Sequence, residues 1–324
     1  MTAMVAPFSA LSPASHRPHA LHRSCRDWPE TNCYVDLWIE VLAAVGHDPV
    51  AAFGFTAAQD FEGDQFTFFK FPPEDLAELY GLHVQELAIY DTLETHAAEQ
   101  ISRGRLVLME VDAFHLPDAR GVSYGLEHTK TTIAIARIDA GRRQMEYFHN
   151  AGYFLLEGAD YDGALQRLDR SPDLLFPYVE FVKLGRRETA APFEAALRLL
   201  RKHVGLAPTS NPVRAFADCF AARIDLYFAR EPEFFHKFAF NTVRQLGANF
   251  ELLSAHLDWI GARAGMDLSA STDGCRRLSA GAKSFQFQLA RAMARKSDRG
   301  LAGALDELSG AWEQTLNGLH SSFV

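Results

Sequence analysis

The chain has 324 residues, of which 48% are hydrophobic, so it can bury the core of one large domain or of two smaller ones. Its formal net charge of −9 argues against a general nucleic-acid-binding protein, and no apolar run approaches the roughly 20 residues of a membrane-spanning helix. The four cysteines are widely spaced, without a zinc-binding pattern, as is typical of free thiols in a reducing compartment. These features predict a cytoplasmic protein that binds neither nucleic acid nor a membrane.

The N-terminal region leads to a candidate nucleophile. Residues 1–23 have no basic start and no continuous apolar core, which predicts a disordered lead-in rather than a secretory signal. Asn32 is a good helix N-cap, and apolar residues then recur at helical spacing until Gly46. A helix is therefore predicted to begin at Cys33. Because the first turn of a helix carries unpaired N–H groups and the positive end of the dipole, it favours a thiolate there.

Residues 59–70 interleave acidic and aromatic side chains around a single glycine. Glu62 and Asp64, with the neighbouring Gln65, would suit a pocket that holds a cationic amine against aromatic faces. The simpler interpretation of this segment is a solvated turn between packed aromatic residues.

The following part of the chain is predicted to be rich in β-strands. Residues 105–112 form an apolar run typical of a buried strand, which ends at Asp112. His128 precedes a second strand over 131–138, which a turn connects to a partner strand over 144–149, and Asn150 ends this hairpin. Other expected elements are helices over 75–80 and 92–103 and strands over 84–89 and 178–184. An α+β half with a small antiparallel sheet is predicted.

From about residue 188 the composition favours helices, which predicts an all-helical C-terminal bundle. The expected helices are 190–204, 212–229, 234–261, 279–296 and 301–319. The predicted organisation is thus a lead-in over 1–23, a catalytic domain over 24–187 and a helical domain over 188–324. Arg291, Arg295 and Arg299 recur at i+4 steps and would suit docking of an acidic partner, although a solvated helix face is the simpler interpretation.

The order Cys33, His128, Asn150 follows the papain arrangement of a Cys at a helix start, a His at a strand start and an Asn or Asp on the next strand. Adjacent antiparallel strands lie about 5 Å apart, so side chains of one hairpin can be neighbours. Asp112 is the alternative residue to orient the imidazole. His149 is a less favoured partner because it points to the opposite strand face from Asn150. A papain-like fold is therefore expected for the N-terminal half.

Two features qualify that expectation. Asp27 stands about where papain-like enzymes have a Gln that donates to the oxyanion, and a carboxylate cannot donate, so Gln65 or Asn32 would have to substitute. No metal site is expected, because the acidic and histidine residues between Asp112 and His149 have no strong metal-binding spacing.

Four stretches of the chain resemble a bacterial protein family whose shared domain has no assigned function. They are residues 32–38, 60–70, 111–117 and 128–132, and the resemblance covers nearly the whole chain. More distantly, the Cys at a helix start, the strand end over 111–117 and the His before an apolar strand are similar to the papain-fold acyltransferases of the butirosin biosynthesis protein H type.

This resemblance implies transfer of an aminoacyl or similar acyl group from the phosphopantetheine thioester of a carrier protein to an amine. Cys33 would accept the acyl group, His128 would act as base, and Asn150 or Asp112 would orient the imidazole. The implied partners are a carrier protein and a small amine, with no bound cofactor beyond the donor arm. Two alternatives stay open: a papain-like cysteine peptidase or amidase, and a non-catalytic binding protein on the same fold.

Overall fold

A computed structural model describes residues 2–167, 175–185 and 192–323. The chain is α+β, with an antiparallel sheet followed by a helical C-terminal region. It divides into two compact units: the first comprises Met1–Arg23, Asn32–Pro49 and Leu76–Glu188, and the second comprises Ser24–Thr31, Val50–Asp75 and Thr189–Val324. The second unit thus includes two segments, Ser24–Thr31 and Val50–Asp75, that lie within the predicted N-terminal domain over 24–187. None of the described helices is both long and apolar enough to cross a membrane.

The described part of the first unit is built on a seven-stranded antiparallel sheet. Its strands are β1 (Thr2–Met4), β2 (Leu82–Glu86), β3 (Arg105–Asp112), β4 (Lys130–Asp139), β5 (Gln144–His149), β6 (Gly152–Glu157) and β7 (Val179–Leu184). The strand order is β2-β7-β3-β4-β5-β6, and β1 pairs with the far end of β4. The middle of β3 and the middle of β4 are buried on both faces, which explains their continuous apolar runs.

The register between β3 and β4 determines which side chains share a face. Asp112 pairs with Lys130, and Glu110 pairs with Thr132. Past the end of β3, the Ala113 N–H donates to the Thr129 carbonyl at 2.8 Å, so the two chains stay side by side beyond the strands. His128 is thereby brought next to Asp112.

The helices of this part of the chain are α1 (Cys33–Ala44), α2 (Pro73–Tyr80), α3 (Leu93–Ser102) and α4 (Gly158–Ala164). Helix α1 starts at Cys33, which confirms the predicted boundary. Asn32 has extended backbone angles, and its side-chain oxygen accepts a hydrogen bond from the Val35 N–H at 3.0 Å. Leu37 and Trp38 are fully buried where α1 packs on β4 and β5.

Residues 2–23, where the sequence predicts a disordered lead-in, include a strand that pairs with β4 and buried side chains. Val5 and Phe8 are buried, and the Phe8 ring packs edge-on against Phe148 at 5.4 Å. The Glu40 carboxylate of α1 accepts the His19 N–H at 2.8 Å. It also lies 3.2 Å from Nε2 of each of two histidines, His16 and His22. The apolar residues are too few to form a sequence pattern, but backbone pairing and this buried carboxylate fix the segment.

The helices of the C-terminal region are α5 (Pro192–Gly205), α6 (Pro212–Phe228), α7 (Pro232–Ala239), α8 (Gln245–Ala264), α9 (Ser269–Arg295) and α10 (Leu301–Phe323). The single helix expected over 234–261 is divided between α7 and α8 by a π-helical turn, Phe240–Arg244. Helix α9 starts ten residues before its predicted start at 279. Small residues in this extension allow close packing on α10, since Gly274 lies directly against Thr315.

The sequence pattern missed β6 and α4. The hairpin was expected to end at Asn150, but the chain turns there and returns as β6, paired with β5. Asn150 has a φ of +46°, a left-handed conformation that asparagine tolerates better than most residues.

We predict that Phe8→Ala lowers the free energy of unfolding by about 3–5 kcal/mol, because it removes a buried ring and leaves a cavity. Urea denaturation of the full chain measures this change. Leu126→Ala is the matched control, since Leu126 is 71% exposed and its loss should change stability by less than about 0.5 kcal/mol. Equal effects of the two substitutions would contradict the packing described for the N-terminal segment.

Candidate functional site

An imidazole–carboxylate pair lies at the end of β3 and the entrance to β4. Nδ1 of His128 is 2.5 Å from Oδ2 of Asp112. The other carboxylate oxygen, Oδ1, accepts the N–H groups of Phe114 at 3.0 Å and Thr129 at 3.2 Å. The carboxylate is therefore held by backbone on two sides and in turn holds the imidazole.

The His128 ring is fixed in plane as well as in direction. It stacks on the Phe114 ring with a centroid distance of 4.5 Å and an interplanar angle of 13°. The His128 side chain is nonetheless 73% exposed. Because the Asp112 carboxylate accepts a hydrogen bond from Nδ1, it favours the tautomer in which Nδ1 carries the ring proton. In that tautomer Nε2 is a hydrogen-bond acceptor directed away from Asp112.

The pKa of Asp112 reflects these contacts. Partial burial opposes the charged form, but hydrogen bonds from His128 and from the Phe114 and Thr129 N–H groups outweigh burial and lower the pKa of this carboxyl below its ordinary value of 3.8. Asp112 therefore stays ionised through the neutral range, and it can stabilise an imidazolium on His128.

Cys33 lies at the start of α1 and is partly exposed. Its Sγ contacts the Thr132 hydroxyl at 4.0 Å. Glu110 and Thr132 form one cross-strand pair, and Asp112 and Lys130 form the next pair on the same face of the sheet. We call each pair a row of side chains. Cys33 contacts the first row at Thr132, and His128 contacts the second row at Asp112. Two residues of strand separate the rows, a distance of about 7 Å.

The structure therefore does not bring the sulfur and the imidazole into direct contact. Among the described residues, no hydrogen bond links Cys33 to His128, although one would be expected in a papain-like dyad. A Glu110–Lys130 ion pair, 2.7 Å between Oε1 and Nζ, lies between the two rows. Asn150 does not orient His128 either, because it occupies the β5–β6 turn, and Asp112 has that position instead.

A cavity of about 340 Å³ opens beside the pair. Its polar lining includes His128 and Asp112, and its apolar lining includes Val111, Ala164 and Leu175. The described residues contain no cluster of three or more His, Cys, Asp or Glu side chains arranged to hold a metal ion.

A second imidazole network, which the sequence pattern does not predict, lies buried behind β4. Nδ1 of His149 is 2.5 Å from Oδ2 of Asp118, and Nε2 is 2.8 Å from the Thr131 hydroxyl. The Tyr147 hydroxyl donates to Oδ1 of Asp118 at 2.5 Å. Burial, then the nearby Asp118 charge, raises the pKa of Tyr147, so the hydroxyl stays a donor.

This buried network has the order of groups of a catalytic triad but no access for a substrate, because His149 is 3% exposed and Thr131 is 7% exposed. Its role is structural: it ties the loop after β3 to β4 and β5. The sequence signal for this network is His149 itself, because a histidine in a buried, mostly apolar strand needs buried hydrogen-bond partners.

The predicted amine-binding loop lies in the second unit. The Glu62 N–H donates to the Gln65 carbonyl at 2.8 Å, and the Glu62 carboxylate accepts the Thr67 hydroxyl at 2.6 Å. Asp64 and Gln65 are exposed. The loop is thus a tight turn between paired aromatic residues, Phe61 and Phe66, which agrees with the simpler interpretation. The Asn32 amide oxygen is occupied as the cap of α1.

The arginine stripe is shorter than predicted. Arg291 and Arg295 are exposed in the last two turns of α9, but the helix ends at Arg295, so Arg299 follows it in the connection to α10. No ion pair involving these three side chains is found in the described ranges. By contrast, Arg276 on the same helix pairs with Asp258 and Asp273.

Two family models match adjacent parts of the chain. The model of the DUF1839 N-terminal domain matches residues 17–184, and the model of the DUF1839 C-terminal domain matches residues 189–321. No curated protein matches the chain.

We predict that His128→Ala raises the pKa of Asp112, because the strongest contact that favours its charged form is removed. Carbon-13 NMR titration of the labelled carboxyl measures this shift. The His128–Asp112 contact stabilises the folded chain at pH values above the unfolded-state pKa of Asp112. This stabilisation is lost as the pH falls through the lower folded-state pKa of Asp112. His83→Ala, an exposed substitution on β2, should leave the titration unchanged. An unchanged curve for His128→Ala would show that the pair does not form in solution.

Proposed function

The chain belongs to the DUF1839 family, and we propose that it is an acyltransferase with a cysteine nucleophile. In this proposal an aminoacyl or related acyl group passes from the phosphopantetheine thioester of a carrier protein to Cys33, and then to an amine. The main support for this proposal is the His128–Asp112 pair. It provides an oriented base on the same face of the sheet as Cys33, the first residue of α1. We include a papain-like arrangement in the proposal, because a helix that starts at the Cys packs on an antiparallel sheet that carries the His.

The first step is thiol–thioester exchange. The Cys33 thiolate attacks the thioester carbonyl, the new C–S bond forms, and the phosphopantetheine thiolate leaves with the electrons of the old one. Because one thioester replaces another, the step is close to thermoneutral and needs no strong acid for the leaving group. The start of α1 favours the negative charge, and the Cys33 N–H can donate to the transient oxyanion.

The second step uses the base. The amine attacks the Cys33 thioester, a C–N bond forms, the C–S bond breaks, and the sulfur leaves as thiolate. Nε2 of His128 takes the proton that the nitrogen loses, and Asp112 stabilises the resulting imidazolium. Here the imidazole must reach the amine rather than the sulfur.

A non-catalytic binding protein is the second candidate function. It is favoured by the contact of the Cys33 sulfur with a hydroxyl rather than with an imidazole. A peptidase or amidase has less support, because a thiol that attacks an amide needs an adjacent base and an acid for the amine leaving group. The position where papain-like peptidases carry a Gln that donates to the oxyanion holds Asp27, whose carboxylate cannot donate.

We predict that the full chain, incubated with a carrier protein loaded in turn with each aminoacyl group, gains the mass of one such group. The adduct should be absent from Cys33→Ala. It should persist in Cys219→Ser, which removes another partly exposed thiol. Intact-protein mass spectrometry measures the adduct. A wild-type chain that gains no mass, or a Cys33→Ala chain that gains as much, would refute the acyltransferase and favour the binding protein.

We further predict that His128→Ala separates the two steps. The Cys33 adduct should still form, because exchange depends on the thiolate, whereas transfer to an added amine should slow by about 10²–10⁴-fold, the usual contribution of a general base. Single-turnover decay of the isolated adduct measures the second step. Equal decay in the wild type and the variant would remove His128 from the mechanism.

A further inference from the structure

The cavity beside His128 has a composition that selects a chemical class of ligand. We propose that it is the subsite for the acceptor, and that the acceptor is a small primary amine with an apolar body. The identification of this amine with the acceptor rests on the proposed function, but the binding itself does not.

The first argument comes from the imidazole. With Asp112 on Nδ1 at 2.5 Å, the neutral ring presents Nε2 as a hydrogen-bond acceptor. The stacked Phe114 ring holds that nitrogen in a fixed direction. A ligand headgroup at this point must therefore donate a hydrogen bond, as an amine does and a carboxylate does not.

The second argument is the charge of the lining. Two carboxylates, Glu110 and Asp112, line the cavity, against a single lysine, Lys130. The Lys130 ammonium lies 2.7 Å from Glu110, so these two charges offset each other and Asp112 is the carboxylate that remains. Gln166 also lines the cavity, and its buried Oε1 has no hydrogen-bond partner among the described residues. These groups together favour an N–H donor and disfavour an anion.

The third argument is the shape and polarity of the remaining wall. Val111, Ala164, Leu175 and Pro177 supply apolar surface opposite the charged groups. The volume of about 340 Å³ is at the small end of the range for ligand sites. A cavity of this size fits a short alkyl or a single-ring group.

The test uses the full chain with the Cys33→Ala substitution, so that no acyl transfer can occur. Ethylamine, propylamine and butylamine are titrated at pH 8 while the His128 ring is followed by nitrogen-15 NMR, and butyrate serves as the matched anion. We expect saturable shifts of His128 with the amines, and about fourfold tighter binding for each added methylene that is buried. Butyrate should bind at least tenfold more weakly than butylamine.

Two variants locate the apolar body of the ligand. Leu175→Ser should flatten the dependence on chain length, whereas Leu126→Ser, which replaces an exposed leucine that does not line the cavity, should preserve it. Butyrate binding as tightly as butylamine, the absence of a saturable shift, or an unchanged chain-length dependence in Leu175→Ser would overturn the assignment. Because Cys33 is absent, these outcomes do not depend on acyl transfer, and failure of the Cys33 adduct experiment would leave them unaffected.

Discussion

The candidate site depends on the register between β3 and β4. With Asp112 opposite Lys130, the carboxylate lies beside the chain that delivers His128, and it can also accept the Phe114 and Thr129 N–H groups. A slip of one residue would turn Asp112 to the other face of the sheet and separate it from the imidazole. The apolar side chains of both strand centres are buried, and their burial resists such a slip.

Helix α1 is the second constraint, since its position determines where the sulfur lies. Near its start, the Tyr34 hydroxyl donates to Glu180 of β7 at 3.1 Å, and burial followed by the Glu180 charge raises the pKa of Tyr34 and keeps it a donor. Further along, buried Glu40 is held by the segment that contains His16 and His22. A buried carboxylate of this kind costs stability unless it is paired, so the histidines and the helix stabilise each other's positions.

Local sequence signals predicted the parts of the structure that local physics determines. The Asn32 cap fixed the start of α1, and apolar periodicity located β3, β4 and β5. The choice between Asn150 and Asp112 needed the strand register, which one sequence does not contain. The buried network around His149 escaped detection for the same reason, because its partner Asp118 is 31 residues away in the chain. The first ten residues of α9 were missed because they include Gly274, a poor helix former alone, which lies against Thr315 of α10.

The spacing of Cys33 and His128 bears directly on the chemistry. A protease needs its imidazole on the sulfur, since the same group must activate the thiol and protonate the amine that leaves. A transferase that starts from a thioester has a good leaving group, so its base is required only for the incoming amine. Among the described residues the His128 imidazole makes no hydrogen bond to the Cys33 sulfur, and it lies beside a small cavity with acidic and apolar walls. This arrangement suits the second requirement better than the first, and it supports the proposed transfer over hydrolysis, two reactions that the order of residues in the sequence leaves equivalent.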